Sequence, residues 1–424
     1  LIVKELFSRE DLAMTSAFVM SITPLLVFFS HNVQLINPGL FFMLVSAYLY
    51  ILWAKQGTKH NTHRNLIYSS LFFASAVLTK YTFAVIAIPF AFAIPFSRIK
   101  ETFISMKYNW KPFAISGALL STIMIWFVYS NYFISLKTSG ASAVSSKLIN
   151  LSALLSSQWW VILKSYTADN YTLIGFWMAL LGIVVFLFIS RNKLNFENRF
   201  ILAYAVAALC FIFIMSDKLQ GHSYHQYPIA PIVIFFISYL IIVVGSTSER
   251  LTNIPYLKFV VIIIAAIFLL LPSLESKDRQ FDTQFFGLDI AGDYIQEHSQ
   301  PDERVMYSNG QTYGLLWHAD RKGYGSITDS STLKKLEDDL NFRWIFIYAW
   351  DFPILNNPDT GVYISENYNL KQVGIVNQIP VYFLFEKGGK FNISQINEQL
   401  KDKQPQIKKY ELNKGTIDLI YFNI

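Results

Sequence analysis

The chain has 424 residues, of which 53% are hydrophobic and only 15% charged, with 37 Phe, 24 Tyr and 9 Trp. This excludes an ordinary soluble globular protein and fits a polytopic membrane protein rich in interfacial aromatics. The net charge of +6 would suggest nucleic acid in a soluble chain, but the basic residues lie mostly in short loops between apolar runs, so no nucleic-acid partner is expected.

Residues 1–11 read as the end of a span followed by a charged turn, without the basic start, apolar stretch and small-residue cleavage site of a signal peptide. The sequence is therefore expected to begin inside a longer protein. Apolar runs at about 12–30, 38–53, 66–79, 83–96, 112–133, 173–190, 200–216, 229–245 and 259–271 predict about nine spans. Cys210 lies inside one of them and, as the single cysteine, allows no internal disulfide and no cysteine metal cluster. One set of alternate loops is basic: Lys4 and Arg9; Lys55, Lys59 and Arg64; Arg98, Lys100, Lys107 and Lys111; Arg191, Lys193 and Arg199; Arg250 and Lys258. The positive-inside rule makes that side cytoplasmic and everything after the last span extracytoplasmic.

The other side gathers the unusual residues. The stretch Leu78-Thr79-Lys80-Tyr81-Thr82-Phe83 sets one lysine between two apolar runs. A lysine is costly at the bilayer centre and much less so at the headgroup level, so Lys80 belongs near one membrane face. There it either anchors a helix end by snorkelling or holds an anion such as phosphate. On the same face fall His31, Asn32 and Asn37; Trp159, Trp160, Lys164, Tyr166 and Asp169; and His222, Tyr224, His225 and Tyr227. Such a cluster is either an aromatic belt or the lining that an amphipathic ligand needs. The segment 135–171 has an apolar middle, 148–155, followed by Gln158-Trp159-Trp160, and reads as interfacial helices.

After Pro272 the composition turns charged and mixed, so the chain divides into a membrane domain, 1–274, and a second domain, 275–424. In the latter, helices are predicted at 288–298, 331–340 and 393–400 and strands at 304–307, 344–350 and 416–422. Residues 371–376 and 381–385 form a hairpin around Asn377-Gln378. Interleaved helices and strands make a small α/β sandwich. Gly310, Gly314, Gly323 and Gly325 fit no dinucleotide or phosphate loop. Asn150, Asn170 and Asn392 head glycosylation sequons.

The succession Leu6-Phe7-Ser8-Arg9, then Ser21-Ile22-Thr23-Pro24 with Phe28-Phe29-Ser30-His31, then Leu78-Thr79-Lys80, then residues 222–231, His-Ser-Tyr-His-Gln-Tyr-Pro-Ile-Ala-Pro, resembles the GT-C membrane glycosyltransferases. Within that class it is similar to relatives of the protein O-mannosyltransferases and of the lipid A aminoarabinose transferase, the family 39 and 83 group. The resemblance covers roughly 1–271. It implies a polytopic α-helical membrane domain followed by a small external α/β domain, in a cell inner or plasma membrane. It also implies transfer of a sugar from a polyprenyl-phosphate carrier to a lipid, glycan or protein acceptor on the extracytoplasmic face.

Carried onto this chain, the resemblance gives Lys80, His222 and His225 the donor phosphate, with His31, Asn37, Tyr81, Tyr224 and Tyr227 lining the cavity. A cation beside a departing phosphate stabilises the charge it gains in a site of low dielectric. Histidine can add a proton or a hydrogen bond there. The chain departs from the pattern twice. Asn37-Pro38 stands where relatives often carry an acid, and the expected catalytic aspartate would lie upstream of Leu1. No catalytic base is therefore assigned, Asp169 and Asp217 being the only acids in the short external segments, and the fragment alone is expected to be inactive. No metal-ligand spacing occurs, although a divalent ion bridging acids and phosphate is compatible with the class. The alternative reading is a transporter or flippase for a lipid-linked substrate, which would require helices broken near mid-membrane and internal symmetry. A third is a membrane scaffold whose external domain binds a partner.

Overall fold

A computed structural model describes residues 1–31, 35–56, 63–93, 102–104, 106–134, 151–191, 193, 195–308, 312–325, 327 and 329–424. Asn32, Lys59, Arg98, Lys100, Asn150, Gly310 and the segment 135–150 lie outside the described residues. The chain forms two compact units, Leu1–Gln280 and Phe281–Ile424. The division falls beyond the expected boundary at 274 because the helix Leu257–Phe281 runs through Pro272 into charged sequence. Its polar end is held within the first unit: Ser276 Oγ and Gln280 Nε2 both donate to the Asp169 carbonyl, at 2.6 and 2.8 Å.

Among the described residues, six helices are long and apolar enough to cross a membrane: Ile36–Lys55, Trp110–Tyr132, Leu173–Ser190, Phe196–Ile214, Ser223–Thr252 and Leu257–Phe281. Glu10–Ile22 and Pro24–Ser30 make a seventh if taken as one span bent by 56°. The bend follows from Pro24 at the first helical position, which holds Thr23 in an extended conformation. Two of the nine expected runs form shorter helices. His63–Thr79 has 17 residues, and the run after it opens as a 3-10 turn, Tyr81–Ile86, before the α-helix Ala87–Ala93.

Lipid tails are as apolar as leucine, so helices in a membrane associate through close packing and hydrogen bonds rather than through hydrophobic burial. Two contacts show this. Ser46 and Ser69 exchange hydroxyl-to-carbonyl hydrogen bonds of 2.8 and 2.9 Å between Ile36–Gln56 and His63–Thr79. Gly175, Ala179, Gly182 and Phe186 form the buried stripe of Leu173–Ser190, which packs on the central helix Ala230–Thr252. A Cβ built on Gly182 would lie 2.2 Å from the Phe236 carbonyl oxygen. Gly182→Ala is expected to destabilise the membrane unit by about 1–3 kcal/mol through forced separation of the two helices. Gly117→Ala, where nothing lies within 4 Å, is expected to be neutral or stabilising. Paired thermal melts in detergent check both, and equal behaviour of the two variants would contradict this packing.

Arg9 and Lys258 share Asp11, and Lys55 pairs with Glu197 at 3.3 Å, so ion pairs join segments of this unit that are far apart in sequence.

The second unit is built on seven strands: β1 Arg304–Tyr307, β2 Gly323–Gly325, β3 Phe342–Tyr348, β4 Tyr368–Val376, β5 Ile379–Lys387, β6 Gln406–Leu412 and β7 Gly415–Asn423. Their order is β2-β1-β3-β5-β4-β7-β6, parallel across β2-β1-β3 and antiparallel beyond. Alternation along β3 sends Trp344, Phe346 and Tyr348 to one face and Ile345 and Ile347 to the other, each with its own buried cluster. Leu288–His298 covers the first face and Ser330–Leu340 the second. Asn377 and Gln378 both take positive φ, 50° and 67°, as a two-residue hairpin turn requires. β2, β6 and the helices Gly314–Ala319 and Thr360–Asn367 had no sequence expectation. They are short or, in β6, mostly exposed, and so carry little apolar periodicity.

Candidate functional site

Two chain breaks face each other in the membrane unit. Lys80 is extended (φ −158°, ψ 120°) after His63–Thr79, and the chain restarts as the 3-10 turn Tyr81–Ile86. His222 is likewise extended (φ −151°, ψ 134°), and Ser223–Ile229 is again a 3-10 turn, which feeds the central helix. The two turns pack on one another. The Phe83 ring sits where Gly39 has no side chain, since a Cβ there would come within 2.2 Å of it. That contact fixes the first turn against Ile36–Gln56.

The side chains meet between these breaks. The Lys80 ammonium lies 4.1 Å from the centre of the Tyr224 ring, a cation–π contact. Tyr224 stacks on His222 with centroids 5.0 Å apart and planes 14° apart, and its ring lies 4.6 Å from that of His225. Phe29 meets Tyr224 and Tyr227 edge-on at 5.7 and 6.2 Å. Lys80 is half-buried and makes no ion pair among the described residues. His225 is buried, and its Nδ1 has no hydrogen-bond partner.

The structure therefore brings Lys80, His222, Tyr224 and His225 together. Tyr81 follows Lys80 in the same turn, half-buried against the core. Tyr227 and Asn37 form a scaffold behind the cluster. The Tyr227 hydroxyl donates to Asn37 Oδ1 at 2.8 Å, and Asn37 Nδ2 donates to the Phe29 carbonyl at 2.8 Å. An acid at position 37 could accept the first bond but not donate the second, which accounts locally for the asparagine. His31 is exposed at the end of Pro24–Ser30, with its ring Nδ1 2.8 Å from the Val27 carbonyl of its own helix.

Other residues entered the arrangement without a sequence signal. Asn170, inside one of the sequons, is fully buried, and its Nδ2 donates to the Ser223 carbonyl at 3.0 Å, so in this fold it holds the second break. Tyr171 donates to the Gln226 carbonyl and Tyr204 to that of Pro228, satisfying the backbone of a turn that lacks helical partners. Thr82, buried two residues after Lys80, was not singled out either. Asp169 is committed to an ion pair with Arg279. Among the described residues, no three His, Cys, Asp or Glu side chains are grouped to hold a metal ion.

The dolichyl-phosphate-mannose-protein mannosyltransferase family matches residues 1–126. Comparison with curated proteins gives no match. Among solved structures, the chain is similar to the Archaeoglobus fulgidus oligosaccharyltransferase in its apo form, at 12% identity and a TM-score of 0.53 over 88% of this chain and 60% of that one. It is similar to the oligosaccharyltransferase AglB of that organism in complex with an inhibitory peptide and a dolichol-phosphate, at 11% identity and a TM-score of 0.56 over the same shares. A third match is that oligosaccharyltransferase in complex with Zn and sulfate, at 12% identity and a TM-score of 0.52 over 91% of this chain and 59% of that one. The chain thus spans about 60% of the length of these relatives, and at such identities the likeness concerns the fold. Over residues 1–126 the chain is thus similar to the dolichyl-phosphate-mannose-protein mannosyltransferase family, and over most of its length it shares the fold of the archaeal oligosaccharyltransferase.

Proposed function

We propose that this chain is the carrier-binding part of a glycosyltransferase that moves a sugar from a polyprenyl-phosphate donor to a lipid, glycan or protein acceptor on the extracytoplasmic face. The observation that carries the reading is Lys80, a half-buried cation with an aromatic ring beneath it and no carboxylate paired to it among the described residues. A cation withdrawn from water without a counter-ion is costly, and a bound anion offsets that cost. In this reading the carrier phosphate supplies the anion. Lys80 neutralises it, and His222 and His225 offer hydrogen bonds as the sugar departs and the phosphate gains charge. Tyr224 orients the ammonium, while Tyr227, Asn37, Tyr81 and His31 shape the surrounding wall. The dolichol-phosphate held by AglB and the family matched at residues 1–126 support a polyprenyl carrier. Asp169, tied to Arg279, is a poor candidate for the base that activates the acceptor.

The test is transfer of a radiolabelled sugar from polyprenyl-phosphate donors in membranes expressing the full open reading frame. Carrier-dependent transfer is the expected result. Movement of a labelled lipid-linked substrate across vesicle membranes without transfer would instead favour the transport reading, which the broken helices at Thr23, Lys80 and His222 also fit.

A further inference from the structure

Several hydroxyls in the membrane unit share one habit. Thr15, Ser16, Thr23, Thr79, Ser190 and Ser238 each donate to the carbonyl four residues earlier, at 2.5 to 2.8 Å. A helix gives a buried hydroxyl this partner without further cost, which is why such groups are tolerated away from water. Ser116 and Thr82 are both buried without a partner for the hydroxyl among the described residues, and of the two Thr82 stands at a chain break. Its side chain is 4% exposed, and its Oγ1 is buried with no partner among the described residues. The cause is the break itself: Lys80 is extended, so the carbonyls of the preceding helix no longer lie one turn behind Thr82. In the facing turn, His225, 8% exposed, leaves Nδ1 unpartnered in the same way. An unmet buried polar group is destabilising, and two of them, in the packed turns that begin after Lys80 and His222, share with the unpaired lysine a single chemical remedy, an anion that accepts from all three.

We propose that the Thr82 hydroxyl binds the ligand of this site, donating to an oxygen of the phosphate that Lys80 neutralises, with His225 donating from Nδ1 to another. The inference rests on the carrier reading above and adds a binding residue to it. It also gives the break at Lys80 a purpose, since the extended residue that presents the ammonium is the one that frees the hydroxyl.

The probe is a short-chain polyprenyl monophosphate without sugar, titrated against the purified full-length protein while its thermal midpoint is followed. Thr82→Val is expected to weaken binding about tenfold, the loss of one hydrogen bond to a charged group, while Thr82→Ser stays within about twofold of the parent. Without ligand, Thr82→Val should melt no lower than the parent, because it removes an unmet polar group and keeps the shape. Thr82→Ala provides a second removal of the hydroxyl without added bulk. If Thr82→Val and Thr82→Ala bind like the parent while Lys80→Ala does not, the role of Thr82 is overturned and the carrier reading stands. If Thr82→Val melts well below the parent without ligand, the hydroxyl is structural and the proposal is again overturned. If the parent itself is not stabilised by the monophosphate, the carrier reading fails and Thr82 fails with it.

Discussion

Lys80→Ala is expected to lower transfer from a polyprenyl-phosphate donor by roughly 10²- to 10³-fold in kcat/KM, the range for removing one preorganised charge-stabilising group. The argument is local. The ammonium lies 4.1 Å from the centre of the Tyr224 ring. A cation–π contact of this kind is worth about 0.5–2 kcal/mol, too little to account for burying a lysine as structure alone. Stability should therefore change little in the variant, or rise, while activity collapses. Lys80→Arg keeps the charge but spreads it over a planar fork on a longer reach, so it should fall between parent and alanine. The measurement is initial-rate transfer in membranes with matched expression, with detergent melts as the control. Unchanged transfer in Lys80→Ala would leave the enzyme in place and remove its proposed central residue.

The largest stability effect is expected in the second unit, at Glu337. Its side chain, 2% exposed, lies 2.7 Å from the Lys387 ammonium and accepts hydrogen bonds from the hydroxyls of Tyr363 and Tyr368 at 2.7 and 2.5 Å. Glu337→Ala leaves two phenols without their acceptor beneath the sheet and should cost about 2–4 kcal/mol, the loss of two hydrogen bonds to a charged group, while the partly exposed Lys387 turns to solvent. Hydrogen exchange of the β4 amides in the full chain reads this directly, and a loss under about 1 kcal/mol would mean that the network is not what holds Ser330–Leu340 on the sheet.

The same network sets an alkaline limit. Burial, and then the hydrogen bond to Glu337, push the Tyr363 and Tyr368 phenols well above their ordinary value. A phenol held neutral by the fold ionises first in the unfolded chain. Its contribution is thus fully present below about pH 10 and is lost as pH rises beyond that. Phenolate absorbance in these two tyrosines should appear together with the unfolding of this unit rather than before it.

The sequence alone determined the class of the protein and most of its regular elements, because these depend on local composition and period. The apolar runs, the change after Pro272, the helix at 288–298, the strand at 304–307 and the turn at Asn377-Gln378 are all properties of neighbours in the chain. It also marked Lys80 and the histidine-tyrosine segment, since a charge between apolar runs and a cluster of polar aromatics before a proline stand out without any partner being known. Tertiary structure decided the rest. Asn37 and Tyr227 are 190 positions apart, and nothing in either segment announces their hydrogen bond. Thr82 reads as an ordinary membrane-helix threonine until the extended conformation of Lys80 deprives it of a carbonyl. Asn170 reads as a surface sequon until packing buries it against Ser223. Periodicity records which face of a segment is apolar, whereas the partner that satisfies a buried polar atom is fixed only when distant segments close around it.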